Sequence, residues 1–247
     1  MEKPVYPQFL ASKTEKKIAL LIDPDSLRLV HLNKLIEHLQ VVRPDFIMVG
    51  GSLIFDDQLE SCLDVLRKAT DVPLVLFPGS VLQISPKADA ILLLSLISGR
   101  NPDYLIGQHV VAAPYLKKSG LETISTGYML IDGGQATTAS YMSHAMPIPA
   151  DKKEIAACTA MAGAMLGLST IYLDAGSGAR QAVPLEMTAL VSQEIKVPLI
   201  VGGGIRSPEL AVEQLKAGAD IIVVGTGIER DPGLLTEMVR AVQYFND

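Results

Sequence analysis

The sequence has no tryptophan, and its five phenylalanines and seven tyrosines make up 5% of 247 residues. A chain so poor in aromatic residues lacks the stacking surface on which proteins hold unpaired bases. Basic residues are also few, because 21 Lys and Arg stand against 27 Asp and Glu, a formal net charge of −6. Since a nucleic-acid backbone is bound by a positively charged surface, we expect no nucleic-acid partner.

Cysteine and long apolar runs are scarce as well. The two cysteines, Cys62 and Cys158, have no partner at metal-ligand spacing, so we expect buried thiols in a reducing compartment. The longest apolar run, around residues 90–97, contains Ser95 and is far shorter than the roughly 18 residues that span a bilayer. Residues 1–17 carry several lysines and no apolar core. We therefore expect no signal peptide, no integral membrane segment and a cytoplasmic location.

Hydrophobic residues are plentiful at 49%, and they fall into short runs that alternate with helix-type patterns. Eight runs have the length and composition of buried strands: residues 17–22, 45–49, 73–77, 88–94, 122–129, 169–173, 199–201 and 221–224. Eight strands alternating with helices over about 250 residues predict a (β/α)8 TIM barrel. We expect one domain over residues 1–247, in which residues 1–15 are an N-terminal extension.

The third connection departs from this alternation. Only residues 78–87, two of them proline, separate the third and fourth predicted strands. A crossover with a full helix usually takes at least about 10–12 residues. We therefore predict that the third helix is reduced or missing. Its absence would leave an apolar groove on the side of the barrel, suited to a long hydrophobic ligand.

Glycine-rich breaks follow the last three strands, in IYLDAGSG at 171–178, LIVGGGI at 199–205 and IIVVGTGI at 221–228. Glycine lets backbone N–H groups approach an anion, and loops after the seventh and eighth strands form the phosphate site of many TIM barrels. These glycines are also compatible with purely structural turns. The pattern favours a phosphorylated ligand.

Polar side chains follow other strands at the same predicted rim. Asp23 ends the first strand and Ser52 follows the second, while Asp174 ends the sixth. The carboxyl ends of barrel strands carry the chemistry of this fold, so a carboxylate there can accept a proton. Each residue also has a structural interpretation, because Asp and Ser cap helices and turns.

Eight motifs in this order resemble the geranylgeranylglyceryl phosphate synthases and their bacterial relatives, the heptaprenylglyceryl phosphate synthases. The motifs are LIDPD at 21–25, GGS at 50–52, LFPGS at 76–80, SGRNP at 98–102, GYMLIDGG at 127–134, YLDAGSG at 172–178, GGGIR at 202–206 and VVGTGIE at 223–229. The resemblance covers nearly the whole chain after residue 15. It implies a prenyltransferase that joins sn-glycerol 1-phosphate to a polyprenyl diphosphate and releases diphosphate, in phospholipid biosynthesis.

The resemblance also implies site residues. Asp23 and Ser52 would hold Mg²⁺, which prefers oxygen ligands and completes its shell with phosphate and water. Asp174, where the family often has Glu, and Tyr172 would be catalytic, and Tyr104 would limit the length of the prenyl chain. The residues implied in binding glycerol 1-phosphate are Tyr172, Leu173, Asp174, Ala175, Gly176, Ser177, Gly178, Gly203, Gly204, Gly225 and Thr226.

Two other functions stay open at this point. A barrel isomerase or lyase acting on a phosphorylated metabolite would share the phosphate site without needing the groove or a metal. An inactive phosphate-binding scaffold is compatible with Asp at position 174. The small residues of the predicted helix at 152–166 and a mean hydropathy of +0.31 favour a homo-oligomer.

Overall fold

The computed structural model describes residues 4–25, 29–53 and 58–247, with the side chains of residues 29–31 left out of the description. Eight parallel strands form a closed barrel in which each strand pairs with the next and β8 pairs with β1. The strands are β1 (Lys17–Ile22), β2 (Phe46–Val49), β3 (Leu74–Leu76), β4 (Ala90–Leu96), β5 (Glu122–Leu130), β6 (Thr170–Asp174), β7 (Leu199–Gly202) and β8 (Ile221–Val224). The predicted TIM barrel is confirmed, and the predicted bounds of β1 and β8 match residue for residue.

Helices occupy most of the connections. They are α1 (Tyr6–Ala11), α2 (Leu29–Leu39), α3 (Leu59–Ala69), a π-helix (Asp103–Gly107), α4 (Gln108–Ser119), α5 (Thr138–Ser143), α6 (Lys153–Met165), α7 (Leu185–Glu194), α8 (Pro208–Lys216), α9 (Thr226–Arg230) and α10 (Gly233–Asn246). The predicted starts of α2 and α3, at residues 27 and 56, lie outside the described residues.

The connection from β3 to β4, residues 77–89, is described throughout and contains turns in place of a helix. The predicted loss of the third helix is therefore confirmed. Both prolines and the short length explain it, since proline interrupts helical hydrogen bonding. The outer face of β4 consequently lacks the helical cover that other strands receive: Leu93 and Ser95, which point outward, are half-buried.

Helix α1 lies within the predicted N-terminal extension and closes the amino-terminal end of the barrel. Val5 and Phe9 are buried, and the Phe9 ring packs edge-on against Phe46 with 4.7 Å between centroids. The Glu122 carboxylate accepts hydrogen bonds from the backbone N–H groups of Val5 and Tyr6. The short, proline-rich segment gave no clear helical period, so sequence analysis missed this helix.

The core has two layers, as the alternation of strand side chains requires. One layer fills the barrel and includes Phe46, Met48, Tyr128 and Tyr172, and the other lies between strands and helices. In the part of the chain that the structure describes, no helix is both long and apolar enough to cross a membrane.

The two cysteines differ in burial. Cys62 is buried on α3, as expected, and burial raises the pKa of its thiol to about 11. The expectation was wrong for Cys158, which is exposed on α6. Nearly every residue of that helix is small or apolar, so the pattern does not separate its two faces.

Asp220 anchors the amino-terminal end of β8, and its side chain is only 1% exposed. Its carboxylate accepts hydrogen bonds from Lys13 Nζ at 3.0 Å, Lys16 Nζ at 2.6 Å and the Leu199 backbone N–H at 2.9 Å. One buried side chain therefore joins the segment after α1 to β7 and β8.

We predict that Asp220→Ala lowers the free energy of unfolding by about 2–4 kcal/mol, because it leaves a buried N–H and two ammonium groups without their acceptor. Urea denaturation measures the change. The matched control is Asp71→Ala, which removes an ion pair with Arg43 in which both side chains are more than 60% exposed. That variant should change stability by less than about 0.5 kcal/mol. Equal midpoints for the two variants would contradict this role of Asp220.

Candidate active site

Two cavities meet at the carboxyl ends of the strands. The mouth cavity, of about 1040 Å³ including space open to solvent, lies inside the rim and is lined by loops that follow β1, β2, β6, β7 and β8. The lateral groove, of about 890 Å³ including space open to solvent, lies over β4. The residues that line both are Gly51, Ser52, Phe77, Tyr128 and Ala139. The two cavities are therefore adjacent and share a wall.

The lateral groove is present where the third helix is missing. Its apolar wall includes Ile84 from the β3–β4 connection, Ile91 and Leu93 from β4, and Ala112 and Leu116 from α4. The outward-facing β4 side chains among them are apolar because a helix would cover those positions in a complete barrel. The groove can therefore accept a hydrophobic chain whose end reaches the mouth cavity.

Tyr104 lines the groove from the π-helix, and its hydroxyl donates to the Met142 carbonyl at 3.3 Å. His109 also lines the groove and is hydrogen-bonded through Nε2 to the Leu94 carbonyl at 2.8 Å. These two side chains bring polar atoms to a largely apolar wall. Tyr104 is bulky and half-buried, so its position affects how far the groove extends.

The glycine-rich loops after β6 and β7 touch backbone to backbone in the mouth cavity. Gly203 has φ +79°, and a Cβ there would lie 2.5 Å from the Gly176 amide nitrogen. Gly204 has φ +72°, and a Cβ there would lie 2.8 Å from the Ala182 nitrogen. Both glycines are therefore required by conformation and by space. Gly176, Gly178, Gly203 and Gly204 all line the cavity.

The loop after β8 completes this part of the rim. Gly225 and Thr226 line the mouth cavity, and the Thr226 hydroxyl lies 3.2 Å from that of Ser177. Thr226 is also the first residue of α9, a short helix that the sequence analysis missed. A short extra helix after the eighth strand is typical of phosphate-binding TIM barrels, because its N–H groups face the anion.

Leu173 and Ala175, which the family motif placed among the ligand-binding residues, do not line the cavity. Both are 2% exposed or less, and their side chains pack in the outer layer against the helices. Side chains of β6 alternate, so Tyr172 and Asp174 face the interior while the intervening residue faces out. The predicted role of Leu173 and Ala175 in binding glycerol 1-phosphate stays a prediction.

Asp174 ends β6 and is 7% exposed. Its Oδ1 accepts the Gly176 N–H at 2.6 Å, and its Oδ2 accepts the Tyr128 hydroxyl at 2.6 Å. Burial raises the pKa of Asp174, and the two hydrogen bonds oppose that rise. The turn-capping interpretation is correct for Oδ1, while Oδ2 faces the interior of the barrel.

Tyr128 is a site residue that sequence analysis did not select, although it lies in the GYMLIDGG motif. Its β5 position is paired in register with Tyr172 of β6. Burial and the nearby Asp174 carboxylate raise the pKa of Tyr128 well above its usual value, so the hydroxyl is a donor near neutral pH. Sequence analysis did not find this contact, because Tyr128 and Asp174 are 46 residues apart in the chain and meet only in the folded barrel.

Three aromatic rings lie together where the cavities meet. Phe77 is stacked on Tyr172 with centroids 5.4 Å apart, and Tyr128 is edge-on to both rings at 5.8 and 5.5 Å. Aromatic residues are scarce in this chain, and three of them are concentrated here. Ring faces at this junction are suited to a neighbouring positive charge.

Asp23 and Ser52 line the opposite side of the mouth cavity. Asp23 Oδ1 accepts the Asp25 N–H at 3.1 Å, and its Oδ2 faces Gly51, where a Cβ would lie 2.9 Å away. Burial raises the pKa of Asp23, and the Asp25 charge adds to the rise while the hydrogen bond opposes it. Asp23 Oδ1 therefore caps the turn, as the structural interpretation expected, and Oδ2 does not take part in this turn bond.

Glu229 brings a second carboxylate to this side, and sequence analysis did not select it although it ends the VVGTGIE motif. It lies on α9 and lines the mouth cavity with Asp23. Burial raises the pKa of Glu229, and the negative charge of Asp23 raises it further. This side of the cavity is therefore acidic and partly desolvated.

The donor set on this side suits Mg²⁺ better than a metal with soft ligands. It offers carboxylate oxygens and a hydroxyl, and the residues that the structure describes contain no group of three or more His, Cys, Asp or Glu arranged around one point. Mg²⁺ is commonly held by one or two carboxylates, with phosphate and water oxygens completing its shell.

Comparison with known proteins gives close likenesses over nearly the whole chain. A geranylgeranylglyceryl phosphate synthase from Spirosoma linguale is 54% identical over 231 residues, which are 94% of this chain and 93% of the relative. One from Methanopyrus kandleri is 43% identical over 235 residues, 95% of this chain and 97% of the relative. The bacterial and archaeal relatives bear the same name.

A solved structure is similarly close. The (S)-3-O-geranylgeranylglyceryl phosphate synthase from Thermoplasma acidophilum, in complex with substrate sn-glycerol-1-phosphate, matches with a TM-score of 0.92 and 34% identity, covering 99% of both chains. Residues 12–244 match the sequence model of the PcrB family. The resemblance seen in the motifs is confirmed by these findings. The chain belongs to the PcrB family.

Proposed function

We propose that this chain is a prenyltransferase that joins sn-glycerol 1-phosphate to geranylgeranyl diphosphate or a similar polyprenyl diphosphate. The observation that carries the proposal is the junction of the two cavities, which share Gly51, Ser52, Phe77, Tyr128 and Ala139. A polar cavity with a phosphate-type rim suits glycerol phosphate, and the adjoining apolar groove suits a prenyl chain. An isomerase or lyase acting on a small phosphorylated metabolite would have no use for that groove.

Glycerol 1-phosphate would bind with its phosphate at the glycine loops after β6, β7 and β8. This placement would direct one of its two free hydroxyls, that on C3, toward Asp174, which lies at the edge of the same loops. The Asp174 carboxylate would accept the hydroxyl proton as the glycerol oxygen bonds to the first prenyl carbon. The bond from that carbon to the diphosphate oxygen breaks, and its electron pair leaves with diphosphate.

The three aromatic rings would stabilise the reacting carbon. Positive charge develops there as the allylic bond to diphosphate opens, and ring faces attract a cation. Phe77, Tyr128 and Tyr172 all line the mouth cavity, and the first two also line the lateral groove. The prenyl chain can thus lie in the groove while its reactive end reaches the rings and Asp174.

Asp23 and Ser52 would hold Mg²⁺ at the diphosphate end, with Glu229 beside them. Mg²⁺, when bound, neutralises charge on the leaving diphosphate. Asp23 and Glu229 are suited to a cation because burial disfavours the negative charge of each carboxylate, and a bound cation would offset that charge. The compartment and the assembly state remain predictions from sequence, namely a cytoplasmic protein that forms a homo-oligomer.

The proposal is tested by incubating the protein with labelled sn-glycerol 1-phosphate and geranylgeranyl diphosphate, with Mg²⁺ or with a chelator. We expect a labelled prenylglyceryl phosphate ether with Mg²⁺ and little product with chelator. Glycerol 1-phosphate binding without any product would favour an inactive scaffold or another prenyl donor. If glycerol 1-phosphate does not bind at all, the proposed substrate is wrong.

We predict that Tyr128→Phe moves the acidic limb of the pH profile of kcat/KM to higher pH. The Tyr128 hydrogen bond lowers the pKa of Asp174, so removing it raises that pKa further. Because only the deprotonated carboxylate accepts a proton, activity is lost as pH falls through the pKa of Asp174, and the loss begins at higher pH. At a given pH on the acidic limb, kcat/KM should fall about tenfold, the effect expected when one charge-assisted hydrogen bond no longer opposes protonation of Asp174.

The matched control is Tyr244→Phe, which changes a tyrosine that is 77% exposed on α10. Its pH profile should superimpose on that of the wild-type protein. A Tyr128→Phe profile that is uniformly lower but has an unchanged acidic limb would show that Tyr128 does not act through the pKa of Asp174.

We predict that Tyr104→Ala extends the range of prenyl donors. The ring occupies space in the groove, so its removal should raise kcat/KM for a longer diphosphate, such as heptaprenyl diphosphate, at least about fivefold relative to geranylgeranyl diphosphate. Competition between the two donors, with products separated by chain length, measures the ratio. An unchanged ratio would mean that another residue limits the chain. Tyr115→Ala, at an exposed position on α4, is the control.

A further inference from the structure

We propose that Gln83 is a positioning residue for the diphosphate end of the prenyl donor. It lies in the β3–β4 connection and, by this inference, holds residues 50–52 in the conformation that presents Ser52. The inference rests on the proposed function, since it concerns the same donor. It adds a residue that lies outside the eight motifs quoted above and that acts without touching the substrate.

The Gln83 side chain is 3% exposed, although it lies in a connection without a helix. Its Nε2 donates to the Gly51 carbonyl at 2.9 Å. Its Oε1 accepts the Gly79 N–H at 3.2 Å and, more weakly, the Gly51 N–H at 3.4 Å. One amide therefore joins the loop after β2 to the loop after β3.

Three close contacts show that these loops have little freedom. A Cβ on Gly79 would lie 2.4 Å from the Gly51 carbonyl oxygen and 2.7 Å from Ser52 Cα. A Cβ on Gly51 would lie 2.9 Å from Asp23 Oδ2. Gly79, Gly51 and Asp23 are thus stacked in a row, and a movement of the Gly51 peptide would be passed to Asp23 and Ser52.

The backbone ladder between β2 and β3 ends just before this row. Its last bond runs from the Phe77 N–H to the Val49 carbonyl at 2.9 Å. Beyond it, the Gln83 side chain links the two segments, because it is hydrogen-bonded to Gly51 on one side and to Gly79 on the other. The amide therefore extends the ladder past the ends of two short strands.

This position is where the donor's diphosphate should lie. Gly51 and Ser52 line both cavities, so they flank the junction between the prenyl groove and the mouth. Of the loops proposed for glycerol phosphate, those after β6 and β7 lie across the barrel from β2 and β3, and the loop after β8 is separated from β2 by β1. Loss of the Gln83 amide should therefore weaken diphosphate binding and leave glycerol phosphate binding nearly unchanged.

A second buried glutamine provides a matched control. Gln214 is fully buried on α8, accepts the Thr188 hydroxyl at 2.8 Å and donates to the Val183 carbonyl at 2.6 Å. It makes hydrogen bonds of the same kind but is absent from the walls of both cavities. Gln83→Met and Gln214→Met remove the same chemical group at sites with and without the proposed role.

The experiment is calorimetric titration of wild type and both variants with inorganic diphosphate in the presence of Mg²⁺ and, separately, with sn-glycerol 1-phosphate. We expect Gln83→Met to bind diphosphate about tenfold more weakly, the effect of one lost buried hydrogen bond, while its affinity for glycerol phosphate changes less than twofold. In turnover, KM for the prenyl diphosphate should rise more than kcat falls. Gln83→Asn keeps an amide on a shorter side chain and, if Gln83→Met does not fold, should show the same direction.

Gln214→Met should lose thermal stability while retaining both affinities. Equal losses of diphosphate and glycerol phosphate affinity in the Gln83 variants, or unchanged diphosphate affinity, would overturn the role of Gln83. Those results are distinguishable from failure of the proposed function, in which the wild-type protein itself would bind no diphosphate with Mg²⁺ and form no ether. In that case the inference about Gln83 would fall with it.

Discussion

A parallel barrel normally covers the outer face of each strand with the helix that leads to the next strand. Residues 77–89 form a short connection with two prolines, and they make turns in place of such a helix. The outer face of β4 consequently becomes the wall of a groove, and the end of that groove opens beside the rim. The apolar and polar cavities meet because one connection is short.

The same shortening makes the rim harder to hold together. β3 has only three residues, so the main-chain ladder on that side ends early. Beyond the end of the ladder, close glycine contacts and the hydrogen bonds of the Gln83 amide hold the two loops together. On the opposite side, the glycine loops after β6 and β7 pack directly on one another, and the Ser177 and Thr226 hydroxyls join the loops after β6 and β8. Each half of the rim is thus fixed by different local chemistry.

Sequence predicted the barrel well because its signals are local. Residues 18–22 form an uninterrupted apolar run after Lys17, and the glycine break after β7 marks a loop that glycine alone fits. The missing third helix was also predictable, since chain length and proline content set it. Helix α1 was not predicted, because its stability comes from Phe46 and Glu122, which are distant in the sequence.

The candidate site was predicted less completely for the same reason. Asp23, Ser52 and Asp174 follow strands and carry typical site chemistry, so position and residue type select them. Tyr128 and Glu229 acquire significance only through Asp174 and Asp23, from which they are separated by many residues. Side-chain direction is a further property that the motif did not give. Leu173 belongs to the motif, but strand alternation turns its side chain toward the helices.

The carboxylates at positions 23 and 174 show how a turn residue can also be a site residue. In each, Oδ1 accepts a backbone N–H two residues later, at 3.1 Å for Asp23 and 2.6 Å for Asp174. This bond fixes the side chain and leaves Oδ2 directed at Gly51 in one case and at Tyr128 in the other. A longer Glu side chain would be less suited to so short a turn bond. With Asp at position 174, the Tyr128 hydroxyl donates to a carboxylate that the turn has already oriented. The Asp side chain is shorter than that of Glu, but its orientation is fixed more firmly.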